Sequence, residues 1–262
     1  MASNEEIYKR LWSREELILA FNLYLNLPFG KLHSHTPEII YLAKLINRTP
    51  SSVAMRLCNF ASVDPYHINR GIKGLRGGYN QVQPIWDEFK SNQEDLIFLS
   101  EQILAKFEDK RIEDKFISEL SGVEKMKGEE KIREVKQRIN QYIFRIMVLS
   151  NYMDKCAITG INLPDLLVAS HIIPWSQNEQ ERLNPENGLC LSSLYDKAFD
   201  KGLLAINLNY KVILSKKLKE EIKEPYYHSF FAPIEDISIR LPLKYLPNKV
   251  FLEYHLKNIY QH

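Results

Sequence analysis

The residue types able to do chemistry gather in one stretch of the chain. An apolar run, Leu166-Leu-Val-Ala-Ser170-His171, ends on a histidine, and a neutral imidazole can take a proton from water near pH 7. A turn-forming segment, Asn184-Pro185-Glu186-Asn187-Gly188, comes next, and Asp196 and Asp200 then stand four residues apart in a helical pattern. That spacing sets both carboxylates on one helix face, where they can hold one divalent cation. Oxygen ligands favour Mg²⁺ or Mn²⁺ over Zn²⁺. Hydrolysis of a phosphate ester needs these two things, a base to activate water and a cation to take up charge on the phosphate.

Positioning such groups takes a strand, a loop, a second strand and a short helix. The runs 166–175 and 188–191 favour strands, and the turn residues between them separate the two. Ser193 can cap a helix carrying Leu194, Ala198 and Phe199, and Gly202 suits its exit. Leu204, Ile206 and Leu208, then Tyr210, Val212 and Leu214, alternate as a hairpin across Asn207-Leu208-Asn209. Another alternating run, Ile237 to Leu243, leads past Pro247 to a final helix with Phe251, Leu252, His255 and Ile259. This helix is expected to pack on the core, with His255 near its end either approaching the site or, as the favoured expectation, exposed.

Taken together, Ser170-His171-Ile-Ile-Pro174-Trp175, Asn187-Gly-Leu-Cys-Leu191 and Asp196-Lys-Ala-Phe-Asp200-Lys-Gly-Leu-Leu204 resemble the ββα-metal core of HNH endonucleases. Cys156-Ala-Ile-Thr-Gly160 and Phe251-Leu-Glu-Tyr-His255-Leu256 resemble a branch of that family described as restriction endonucleases, which carries a similar helical N-terminal part. The resemblance implies a metal-dependent DNA endonuclease with a role in restriction or antiphage defence. It makes His171 the general base, gives Asn187 the task of positioning that histidine by hydrogen bonding, and assigns the cation to Asp196 with help from Asp200 or Ser170. Two positions depart from the common pattern: Ser170 stands where many members have Asp or His, and Asp196 where His or Asn is usual. A degenerate core that binds DNA without cutting therefore stays open, as does a nicking or RNA-directed nuclease. Arg182, in the loop between the strands, is either a phosphate contact or a solvated side chain. Cys156 and Cys190 lack Cys-x-x-Cys spacing, so no structural zinc is expected.

Upstream, the pattern is helical. Ser13 and Glu16 form a capping box ahead of Leu17, Ile18, Phe21, Tyr24 and Leu25. Thr36-Pro37 and Thr49-Pro50 each signal a further helix start, with Val53, Leu57 and Phe60 facing the core on the third helix. Three short helices with tight connections read as a helix-turn-helix-like unit. Ser52, Arg56 and Asn59 then lie on the opposite face, free to read base edges or simply to stay solvated, with Arg48, Lys73 and Arg76 nearby. The segment 70–78 is basic and glycine-rich, allowing close backbone approach to phosphate, but it is no P-loop. From about 91 the composition turns charged with mixed sign, as in a helical connector, and 129–147 is more basic.

These signals arrange the chain as an α+β protein: a helical DNA-binding region at 1–90, a charged connector at 91–147, and a nuclease domain with additional strands at 148–262. A length of 262 residues suits about two domains at roughly 150 residues each. Hydrophobic residues at 45% and charged residues at 26% exclude a wholly disordered or fibrous chain. A formal charge of +2 neither requires nor excludes a polyanionic partner, so only local basic patches argue for DNA. Three scattered cysteines, no apolar leader and no long apolar run point to a cytoplasmic protein without a membrane partner. Cutting both strands of a duplex would call for a homodimer.

Overall fold

The computed structural model describes residues 10–27, 29–71 and 74–262, and the chain divides into two compact units, Met1–Gln141 and Tyr142–His262. The architecture mixes many helices with two small antiparallel sheets. No helix among the described residues is long and apolar enough to cross a membrane.

In the first unit, α1 (Arg14–Asn26) starts at the capping box: Ser13 Oγ accepts from Glu16 N–H, and the Glu16 carboxylate accepts from Ser13 N–H. Helices α2 (Pro37–Leu45) and α3 (Pro50–Ala61) follow, joined by four residues. Thr49 caps α3 through Ser52 N–H, whereas Thr36 turns its hydroxyl to the Lys31 carbonyl and leaves α2 without a side-chain cap. Helices α4 (Tyr79–Phe89) and α5 (Gln93–Phe107) complete the layer around Ile18, Phe21, Tyr24, Leu57, Phe60 and Val82. The Phe21 and Phe60 rings stack at 4.8 Å near its centre. Helix α5, expected as part of a solvated connector, packs on α1 and buries Leu96 and Ile97, so its apolar stripe belongs to this core.

Helix α6 (Gly128–Asn151) begins in the first unit and ends in the second. Its last turns bury Phe144, Met147 and Val148. Strand β1 (Leu167–His171) pairs antiparallel with β2 (Gly188–Ser192), setting Ala169 opposite Cys190 and His171 opposite Gly188. Every residue of β2 is buried. Gly188 is required by packing, because a Cβ there would stand 2.4 Å from Val148 Cγ2 and 3.1 Å from Phe144 Cζ.

Helix α7 (Ser193–Asp200) crosses both strands, and β3 (Leu204–Ile206) pairs with β4 (Val212–Leu214) in the expected hairpin. The 237–243 run forms no ladder among the described residues beyond one bridge, Lys211 to Ser238. Helix α8 (Lys249–Asn258) closes the unit. His255, expected to be exposed, is 1% exposed, stacks at 3.7 Å on Phe199, and donates from Nε2 to the Phe199 carbonyl at 3.0 Å. Burial pulls its pKa down to about 4, so it packs as a neutral aromatic.

Candidate active site

His171 ends β1 half-buried between two aromatic walls. The Phe144 ring of α6 stacks on it at 4.0 Å and 14°, and Trp175 meets it edge-on at 5.5 Å. Its Nε2 lies 2.8 Å from the Arg182 carbonyl. A carbonyl only accepts, so the neutral ring carries its proton on Nε2 and keeps the lone pair on Nδ1. Among the described residues Nδ1 has no protein partner, and it is not sealed from solvent. Burial, opposed by the bond to the Arg182 carbonyl, holds the His171 pKa below the usual imidazole value, so the ring is neutral at neutral pH and its Nδ1 lone pair is unprotonated.

Asn187 sits in the 3-10 turn just before β2 and is 1% exposed. Its Oδ1 accepts from Ile173 N–H at 2.8 Å, and its Nδ2 donates to the carbonyls of Ile173 and Glu181, both at 3.1 Å. The side chain therefore touches the loop rather than the imidazole: it ties the chain just past His171 to the residue preceding Arg182, whose carbonyl orients the ring. Arg182 turns its guanidinium inward, with Nε donating to the Trp175 carbonyl at 2.7 Å and the group lying over the Trp175 ring. It braces the same loop.

The oxygen donors are Ser170, the residue before His171 on β1, and the two carboxylates of α7. Ser170 is 2% exposed and faces α7, its Oγ making no well-formed hydrogen bond. It lies close enough to Asp196 to stabilise that carboxylate against the burial that raises its pKa. Asp200, more open to solvent, is also raised, first by partial burial and then by the charge of Asp196. Among the described residues no three His, Cys, Asp or Glu side chains gather as a metal-binding group. The donors present are two mutually repelling carboxylates and an unsatisfied buried hydroxyl. That set fits a hard cation that keeps most of its own water, since such an ion needs only one or two carboxylates and relieves their repulsion.

The chain beyond α7 steadies the carboxylate helix. His255 takes the Phe199 carbonyl, Gln261 Nε2 donates to the Lys201 carbonyl at 2.7 Å, and Gln261 N–H to that of Gly202 at 2.9 Å. Gly202 has φ +65°, and a Cβ there would lie 2.0 Å from the Ile259 carbonyl oxygen. On β1, the Arg145 guanidinium of α6 donates to the carbonyls of Leu167 at 2.6 Å and Pro164 at 2.8 Å. Arg145 was readable only as one of the basic residues of 129–147 that could face a phosphate backbone or belong to a plain linker helix, and Phe144 carried no signal beyond the apolar spacing of that helix.

In the first unit the expected DNA-facing residues are dispersed. Arg48 is buried, and its guanidinium is spent on the Glu16 carboxylate at 2.8 Å and on the carbonyls of Arg10 and Leu11. Asn59 is 5% exposed and donates to the Leu75 carbonyl, because the 74–78 loop covers the face of α3 that periodicity alone leaves open. Arg56 lies half-buried over Trp12, with its pKa lowered to about 10 by burial and by Arg48. Ser52 is half-buried, Arg76 is exposed, and Lys73 lies outside the described residues.

Residues 156–207, about a fifth of the chain, match the HNH endonuclease family. No curated protein matches the chain. The matched segment contains β1, Asn187, β2 and α7, and thus His171 together with both carboxylates. Its description points to nuclease activity, and enzymes of this family generally work with a divalent metal. The likeness to HNH endonucleases therefore lies in the segment that holds His171, Asn187 and both carboxylates.

Proposed function

We propose that this protein hydrolyses DNA phosphodiester bonds with Mg²⁺ or Mn²⁺. The observation that carries the reading is the His171 ring, whose Nε2 proton is committed to the Arg182 carbonyl while Nδ1, without a protein partner among the described residues, is not sealed from solvent. In this mechanism Nδ1 accepts a proton from the attacking water. Asn187 and Arg182 keep the loop, and hence the ring, in that orientation. Asp196, Asp200 and Ser170 hold the cation. The bound cation supplies positive charge to the scissile phosphate and to the departing 3′ oxygen.

The helical first unit is proposed to bind DNA, with α2 and α3 as a helix-turn-helix-like pair and Ser52 and Arg76 as the contacts, since Nε and Nη1 of Arg56 are buried. A restriction or antiphage role rests on the resemblance of the flanking motifs, and dimerisation on the need for two active sites to cut both strands of a duplex. The test is incubation of the protein and its His171→Ala variant with supercoiled plasmid, base-modified and unmodified, in Mg²⁺, Mn²⁺ or EDTA. Cation-dependent nicked or linear product that the variant fails to make is the expected result. Binding without cutting on every DNA overturns catalysis and favours the degenerate-core reading, which the short ligand set also supports.

A further inference from the structure

The family-matched segment begins at residue 156, yet the flat face against the proposed base comes from residue 144, on a helix ahead of it. We infer that Phe144 is a positioning residue for catalysis, holding the His171 imidazole in the plane and tautomer that leave Nδ1 unsealed and free of a protein partner among the described residues. The inference rests on the nuclease reading for its effect on rate, but not for its effect on the ring.

Three contacts fix an imidazole in space, and each constrains a different freedom. The Arg182 carbonyl fixes the direction of the Nε2–H vector. That bond alone still allows the ring to rotate about the Nε2–O line. Phe144 removes this rotation, because it lies nearly parallel to the imidazole at 4.0 Å and 14°. Trp175, perpendicular at 86°, closes the remaining side.

Phe144 is itself anchored: it is 1% exposed, and its Cζ would be 3.1 Å from a Cβ on Gly188, the residue paired with His171 across the strands. The neighbouring Arg145 holds the carbonyls of Leu167 and Pro164, locking the same turn of α6 to the beginning of β1. The helix therefore grips the base strand at its start through Arg145 and at its end through Phe144. A flat ring can do this where an aliphatic group of similar size cannot, since only a plane of atoms favours a parallel partner.

The test compares Phe144→Leu with Val148→Ala in the full chain. Val148 touches the same glycine but makes no ring contact with His171, so it matches the loss of packing without the loss of the plane. Plasmid cleavage is measured per folded molecule, and the His171 tautomer is read from nitrogen-15 couplings of labelled histidine at a pH where the ring is neutral. Phe144→Leu is expected to lower kcat roughly 10- to 100-fold with little change in KM, the scale of a misplaced catalytic group. In the same variant the two ring nitrogens should move toward an averaged, mixed-tautomer signal, while Val148→Ala keeps the wild-type tautomer and kcat.

An unchanged tautomer in Phe144→Leu overturns the inference whatever the rate does. So does a mixed tautomer with an unchanged kcat, or an equal loss of kcat in Val148→Ala. If the wild-type protein cuts nothing, the nuclease reading fails by itself, and the tautomer measurement still decides whether Phe144 holds the ring.

Discussion

Replacing Asn187 by alanine tests the loop that orients the base. The substitution leaves three backbone groups without their partner: the N–H and C=O of Ile173, and the C=O of Glu181. Ile173 is 7% exposed, so water does not readily replace the amide, and each of its two groups costs about 1–2 kcal/mol when left unsatisfied. The Glu181 carbonyl is nearer solvent and adds little. The total is about 2–4 kcal/mol, read from the urea unfolding transition of the second unit. The Arg182 carbonyl, one residue beyond a broken tether, would no longer hold Nε2 of His171 in one place, and cleavage should slow by roughly 100-fold.

Asn187→Asp sharpens the test because it keeps one acceptor and the side-chain shape. Its second oxygen would face two carbonyls, and burial would raise the carboxyl pKa above its unfolded value of about 3.9. A raised folded-state pKa means that stability is fully present below the unfolded value and lost as pH rises through the folded one. The penalty relative to wild type should therefore shrink on acidification. Unfolding of Asn187→Ala within about 0.5 kcal/mol of wild type, with wild-type cleavage, would refute the loop argument.

Three further outcomes follow from the same geometry. His255, with its pKa lowered to about 4, binds its proton far more readily unfolded than folded, so stability should fall as pH drops from 6.5 toward 4, by up to about 3 kcal/mol. Thermal unfolding across that window should show a shallower slope in His255→Gln. Asp196→Ala should abolish Mn²⁺ binding measured by calorimetry, whereas Asp200→Ala, which removes the more exposed carboxylate, should weaken it about tenfold; equal effects would mean that the two share the ion evenly. Gly188→Ala should destabilise by about 1–3 kcal/mol through overpacking against Val148, and adding Val148→Ala should recover most of that loss.

What the sequence made legible is local chemistry. The Ser13 and Glu16 capping box, the Thr49 cap, the β3–β4 hairpin and the glycine exit of α7 each depend on residues within a turn or two of one another, so their types at those spacings suffice. What stayed hidden is the distant partner of a polar group. Glu16 was readable as a cap but not as the counterion of Arg48, thirty-two residues away. Asn59 was readable as opposite the core stripe of α3, but periodicity says nothing of the loop that covers it.

Two ring-stacked histidines, His171 and His255, show why residue type alone could not separate a base from a strut. Both stack on a phenylalanine, His171 on Phe144 and His255 on Phe199, and both place Nε2 against a backbone carbonyl. Burial lowers the pKa of each. They differ at the other nitrogen: Nδ1 of His255 is sealed in the core without a partner, whereas Nδ1 of His171 is not enclosed. A lone pair that water can reach can take a proton, and one that water cannot reach only packs. Solvent access at one atom, set by how α6 and the 172–187 loop close around the ring, is therefore what turns the same histidine geometry into a base in one place and a brace in the other.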